Sequence, residues 1–149
     1  MPVEFAATVG RVLLGAYFLL GGAAKIFSES DNGQIVHMAA SGIPFAEHLF
    51  PLAGACEIIG GVALIIGLHT RLVSFLLAAF VILVSLTMHK FWGASVVDQD
   101  NALQVLAEAH EQYVQMVMFL KNMTTVAGLL AFIGFGSGPL AIDNLYREK

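Results

Sequence analysis

Glu57 lies near the middle of residues 50–68, a run otherwise made of apolar residues and glycine. A carboxyl there falls inside a lipid bilayer. Insertion scales put its cost at roughly 2.5–3.5 kcal/mol, and ionisable groups at that depth turn inward and mark function. Lys25 and Lys121 flank two further apolar runs, and either is a candidate partner for it. Such a pair has two uses: contacting a ligand or handling a proton, or neutralising itself as a structural lock. Both stay open for Glu57, Lys25 and Lys121. Arg11 is expected to snorkel toward the membrane surface.

His89 is the second chemical candidate. It closes an apolar run one turn after Ser85 and leads into Phe91-Trp92. An imidazole beside aromatics at the bilayer surface can hydrogen-bond a quinone carbonyl while the rings cover its face. Phe91 and Trp92 read equally well as belt anchors at the interface. His37, His48, His89 and His110 fall on one side of the membrane with Glu47, Glu108 and Glu111, but no pair has ligand spacing, so no metal site is expected and the histidines are read as separate interfacial groups. His48 and His89 share a depth without any sign that they face each other, so no haem is expected either. Cys56 is the single cysteine, which excludes an internal disulfide and a cysteine-based metal cage, and it is expected to pack as a small apolar residue.

These residues need elements to hold them. The chain has 149 residues, 58% hydrophobic and only 12% charged, with a mean hydropathy of +0.80, far from a soluble domain. One domain over 1–149 is expected, an all-α four-helix membrane bundle with spans at about 5–25, 48–68, 72–89 and 113–135. A short helix is expected in the first loop. An amphipathic extension from about Asn101 should precede the fourth span, because Leu103, Leu106, His110, Tyr113 and Val117 recur at helical spacing. Gly136-Ser137-Gly138-Pro139 then stops the helix. The link His69-Thr70-Arg71 makes spans two and three an antiparallel hairpin. Net charge is −4, with the acids outside the apolar runs, and no nucleic-acid partner is expected. Arg11, Arg71, Arg147 and Lys149 on one side outnumber Lys25, Lys90 and Lys121 on the other, which favours cytoplasmic termini.

Every span carries a small or polar stripe. In the first it is Arg11, Gly15, Phe18, Gly22 and Lys25. In the second, Ala53, Gly54, Gly60 and Gly61 flank Glu57. The third reads Ser74, Ala78, Val81, Ser85 and His89, and the fourth Lys121, Thr124, Thr125 and Gly128. Small residues let membrane helices approach closely. The surface from Gly10 to Gly22 suits either closure of the bundle or a homo-oligomer contact.

Taken in order, several short pieces resemble the DoxX family of small four-helix bacterial and archaeal membrane proteins. They are Gly21-Gly22-Ala23-Ala24-Lys25, Ser41-Gly42-Ile43-Pro44, Glu57-Ile58-Ile59-Gly60-Gly61, Gly67-Leu68-His69-Thr70-Arg71, His89-Lys90-Phe91-Trp92, Phe119-Leu120-Lys121-Asn122 and Gly138 to Asp143. Each is weak alone; their order and spacing cover nearly the whole chain. The resemblance implies a multi-pass protein of the bacterial inner membrane and quinone-linked redox chemistry or redox-stress defence, as one subunit of an oxidoreductase with a soluble or membrane partner. It points to Lys25, Glu57, His89, Trp92, Lys121, Asn122 and Asp143, with Asn122 joining His89, Phe91 and Trp92 around a quinone or quinol. The segment 94–111 is more acidic than the family leads one to expect. It motivates an alternative, a non-catalytic anchor or assembly factor that docks a soluble enzyme. A small proton-coupled transporter using the Glu57 stripe is the third expectation.

Overall fold

The computed structural model describes residues 2–28, 32–93 and 101–145. In chain order the helices are α1 (Pro2–Phe27), α2 (Asn32–Ala40), α3 (Ala46–Ile66), α4 (Thr70–Met88), α5 (Ala102–Phe135) and α6 (Ile142–Leu145). Four of them, α1, α3, α4 and α5, are long and apolar enough to cross a membrane. The short helix of the first loop is α2. No strand occurs among the described residues.

The fold is two tight helix pairs, α1 with α3 and α4 with α5. Glycine sets the first pair. A Cβ on Gly15 would lie 2.7 Å from the Gly61 carbonyl oxygen, and one on Gly61 would lie 2.6 Å from that of Gly15. Seven residues away on each helix, Gly22 meets Gly54 in the same way. The Gly10–Gly22 surface is therefore taken up inside the chain, closing the bundle. Where the pairs meet, Phe18, Leu64, Leu77, Ala78, Val81, Val126 and Leu129 form one buried core.

The hairpin turns two residues earlier than expected. Gly67 takes a left-handed conformation (φ 71°) and ends α3, with its amide donating to the Leu64 carbonyl at 3.1 Å and that of Leu68 to Ala63 at 2.9 Å. Any side chain at Gly67 would run into the Arg11 guanidinium. His69 is also left-handed (φ 47°), a strained choice for a residue with a Cβ. Asp143 compensates: its carboxylate accepts from the His69 amide at 2.6 Å and the Thr70 amide at 2.9 Å, capping α4 from the far end of the chain. Arg11 does not snorkel. It is 1% exposed and donates to the carbonyls of Leu64, at 3.0 Å, and Leu140. Together Arg11, Gly67 and Asp143 tie the chain's last described segment to the hairpin.

At the opposite end α5 begins at Ala102, with the Asn101 side chain accepting from the Leu103 and Gln104 amides. Its 34 residues span about 51 Å, against roughly 30 Å of bilayer hydrocarbon. α5 is therefore longer than a straight crossing needs, and the excess falls to its amphipathic start, where Leu103 and Leu106 are exposed.

The fourth stripe needs correction. Lys121 and Thr124 are exposed, and the buried face of α5 carries Asn122, Thr125, Val126, Leu129 and Phe132, one residue further round the helix.

Candidate functional site

Above the apolar core, α1, α3, α4 and α5 diverge around a cavity of about 870 Å³, with α2 lying across its end. Its wall is largely apolar, and the polar groups fall in two sets.

The first set is the ion pair. Lys25 Nζ donates to Glu57 Oε2 at 2.7 Å, with the side chains 25% and 11% exposed. Lys25 also reaches the Gly21 carbonyl at 3.5 Å. The glycines explain why the pair forms here. Gly21 and Gly22 carry no side chain between α1 and α3, so the two backbones come close enough for Lys25 to reach one helix across. Tyr17, two turns back on α1, also lines the cavity and has Thr125, Glu57 and Lys25 as its electrostatic neighbours.

Lys121 is not the partner of Glu57. It lines the cavity, but its ammonium contacts the Met118 sulfur at 3.2 Å. Asn122 is buried and donates from Nδ2 to Ser85 Oγ at 3.0 Å, which in turn donates to the Val81 carbonyl at 2.6 Å. Asn122 therefore ties α5 to α4 at the cavity floor. Cys56 lies exposed on the cavity wall rather than packed in the core.

The second set gathers at the mouth. His89 Nδ1 is 2.7 Å from Gln115 Oε1, and Gln115 Nε2 donates to Glu111 Oε1 at 2.7 Å. His37, on α2, places Nε2 3.2 Å from the Met88 carbonyl and pins α2 to the end of α4. Thus His37, expected to be a separate interfacial group, shares one cavity with His89, the histidine singled out as a candidate. Burial holds the His89 imidazole below the usual histidine range; the Gln115 bond opposes this, while Lys121 and His37 add to it. Phe91 and Trp92 are not on the cavity wall. They pack with Phe119 into an edge-to-face trio, with ring centroids 5.2, 5.5 and 5.9 Å apart. Asp143 lies at the other end of the bundle as the α4 cap.

Sequence reasoning missed Gln115, His37 and Tyr17 as site residues. A signal existed for Gln115, which follows Glu111 by four residues and so shares its helix face. None existed for His37, whose position depends on how α2 folds back. Among the described residues, no three of His, Cys, Asp and Glu come together as a metal site would require.

Four membrane-length helices around a cavity with a buried ion pair define a multi-pass α-helical membrane protein. Within that class the chain belongs to the DoxX family, whose model matches residues 6–90. It is 29% identical over 141 residues to "Inner membrane protein YqjF" of Escherichia coli (strain K12), covering 95% of this chain and 92% of that one. No solved structure matches it significantly.

Proposed function

We propose that this protein resides in the bacterial inner membrane, as its YqjF relative is named to do, and binds a quinone or quinol as part of a membrane oxidoreductase or redox-stress system. One observation carries this reading: a single largely apolar cavity holds both the Lys25–Glu57 pair and His89. Ligand pockets fall at roughly 300–1,000 Å³ with a few convergent polar groups, and a volume of about 870 Å³ admits a quinone ring with the start of its tail. Lys25 would donate to one ring oxygen, Glu57 would relay the two protons that accompany the two electrons of reduction or oxidation, exchanging them in turn with water at the cavity mouth, and His89 would hold the opposite oxygen. Electrons would pass to or from a partner protein.

The test is the quinone content of protein purified in native-lipid nanodiscs, wild type against Glu57→Gln. Near-stoichiometric quinone that is lost in the variant is expected. Equal background quinone in both would overturn the reading.

The extension of α5 favours a second reading, an anchor or assembly factor for a soluble enzyme. Leu103, Leu106 and Tyr113 are 79%, 67% and 61% exposed there. Of the acids in that segment, Glu108 and Glu111 are described, whereas Asp98 and Asp100 lie outside the described residues. Neutralising all four should release a bound partner; unchanged co-purification would count against it. A proton-coupled transporter is supported less well. Arg11, Phe18 and Lys25 follow one another at seven-residue steps on α1, and Phe18 between the two cations is 2% exposed. A permeating ion would have to part that apolar layer.

A further inference from the structure

The hydrogen bonds at the cavity mouth fix more than the position of His89. A carboxylate can only accept, so the Gln115 nitrogen must be the atom facing Glu111. The Gln115 carboxamide oxygen is thereby turned to His89 Nδ1. An amide oxygen also only accepts, so Nδ1 must carry the hydrogen. In the neutral ring, Nε2 is then left with a lone pair, on a residue that lines the cavity. The groups around it, Lys121 on α5 and His37 on α2, together with burial, favour the neutral ring.

We propose that Glu111 and Gln115 lock His89 as a hydrogen-bond acceptor, so that the cavity selects a ring bearing a hydroxyl group, a hydroquinone, over the corresponding quinone. This deepens the quinone reading and rests on it. His89 is the binding residue, and Gln115 and Glu111 are positioning residues acting through it. A quinone carbonyl presents only lone pairs to Nε2, whereas a hydroquinone O–H donates to it. A site that hydrogen-bonds a hydroxyl discriminates against an analogue that cannot pair with it, and the half-buried His89 makes that discrimination modest. Here a preference of about tenfold for the reduced form is expected from one gained or lost hydrogen bond.

Two measurements on the full chain in nanodiscs test this. Nitrogen NMR of histidine-labelled protein, assigned with His89→Phe, reads the tautomer directly. Binding of a short-tailed ubiquinol and the matching ubiquinone, measured anaerobically, reads the preference. Expected are a protonated Nδ1 at neutral pH and about tenfold tighter binding of the quinol. Gln115→Leu should erase that preference. Gln115→Glu keeps an acceptor on Nδ1 but favours the charged ring, and should move the preference toward the quinone. A hydrogen on Nε2 in the wild type would overturn the inference whatever binds. Equal affinity for both forms would overturn it while leaving the quinone site standing. Binding of neither form would overturn both.

Discussion

Replacing Lys25 with Met removes one half of the buried ion pair and leaves the other in place. The 2.7 Å contact joins a lysine 25% exposed to a glutamate 11% exposed. Fully exposed pairs contribute roughly 0–1 kcal/mol, whereas breaking a buried pair costs about 3–5 kcal/mol because a charge is left alone. The burial of Glu57 places this pair near the second figure, and the partial exposure of Lys25 reduces it, so a loss of about 2–4 kcal/mol is expected. For a chain of this size each kcal/mol moves the melting temperature by about 2–4 °C, giving a drop of roughly 5–15 °C in nanodiscs. Adding Glu57→Leu to Lys25→Met should restore most of that loss, since apolar replacement of a whole buried pair is often neutral or better. Ligand retention separates the two roles of the pair. If it serves binding, the double variant is stable yet empty of quinone; if it is only a lock, the double variant retains whatever the wild type binds. Unchanged melting of Lys25→Met would refute the energetic reasoning, as would a double variant less stable than the single one.

Gly61→Ala should separate α1 from α3, because its Cβ would sit 2.6 Å from one backbone atom and 2.7 Å from another; a cost of roughly 1–3 kcal/mol is expected in thermal unfolding. Gly33→Ala, where nothing lies within 4 Å, should show no such clash and serves as the control. Asp143→Ala should cost about 0.5–2 kcal/mol by uncapping α4. Burial raises the Asp143 carboxyl, but the Thr70 and His69 amides outweigh it and hold it below the ordinary range. The cap's contribution is therefore complete above the carboxyl's unfolded titration and lost as pH falls through its lower folded one. Melting curves of Asp143→Ala should lack that acid-side loss, and a parallel loss in variant and wild type would refute the assignment.

What the sequence made legible follows from which constraints act along one helix and which act between helices. Glu57 stood out because a carboxyl among apolar residues has few tolerable surroundings, and the glycines beside it announced a close neighbour. The choice of Lys25 over Lys121 was not legible. Both flank apolar runs, and the decision comes from the Gly15–Gly61 and Gly22–Gly54 contacts, which draw α1 against α3 and leave α5 paired with α4. The same rotation of α5 that leaves Lys121 exposed on the cavity wall, without a bond to Glu57, brings Asn122 to Ser85. A lysine in an apolar run tempts an inward reading, yet its long stem lets the ammonium leave the core while the residue beside it faces inward. His89 was legible as a candidate but not as an acceptor, for its hydrogen-bonding sense is set by Gln115, twenty-six residues away, and by Glu111 behind it. On the proposed reading, the hydrogen-bonding sense at the mouth is thus decided by a glutamate on the exposed face of α5, one turn before the residue that touches the imidazole.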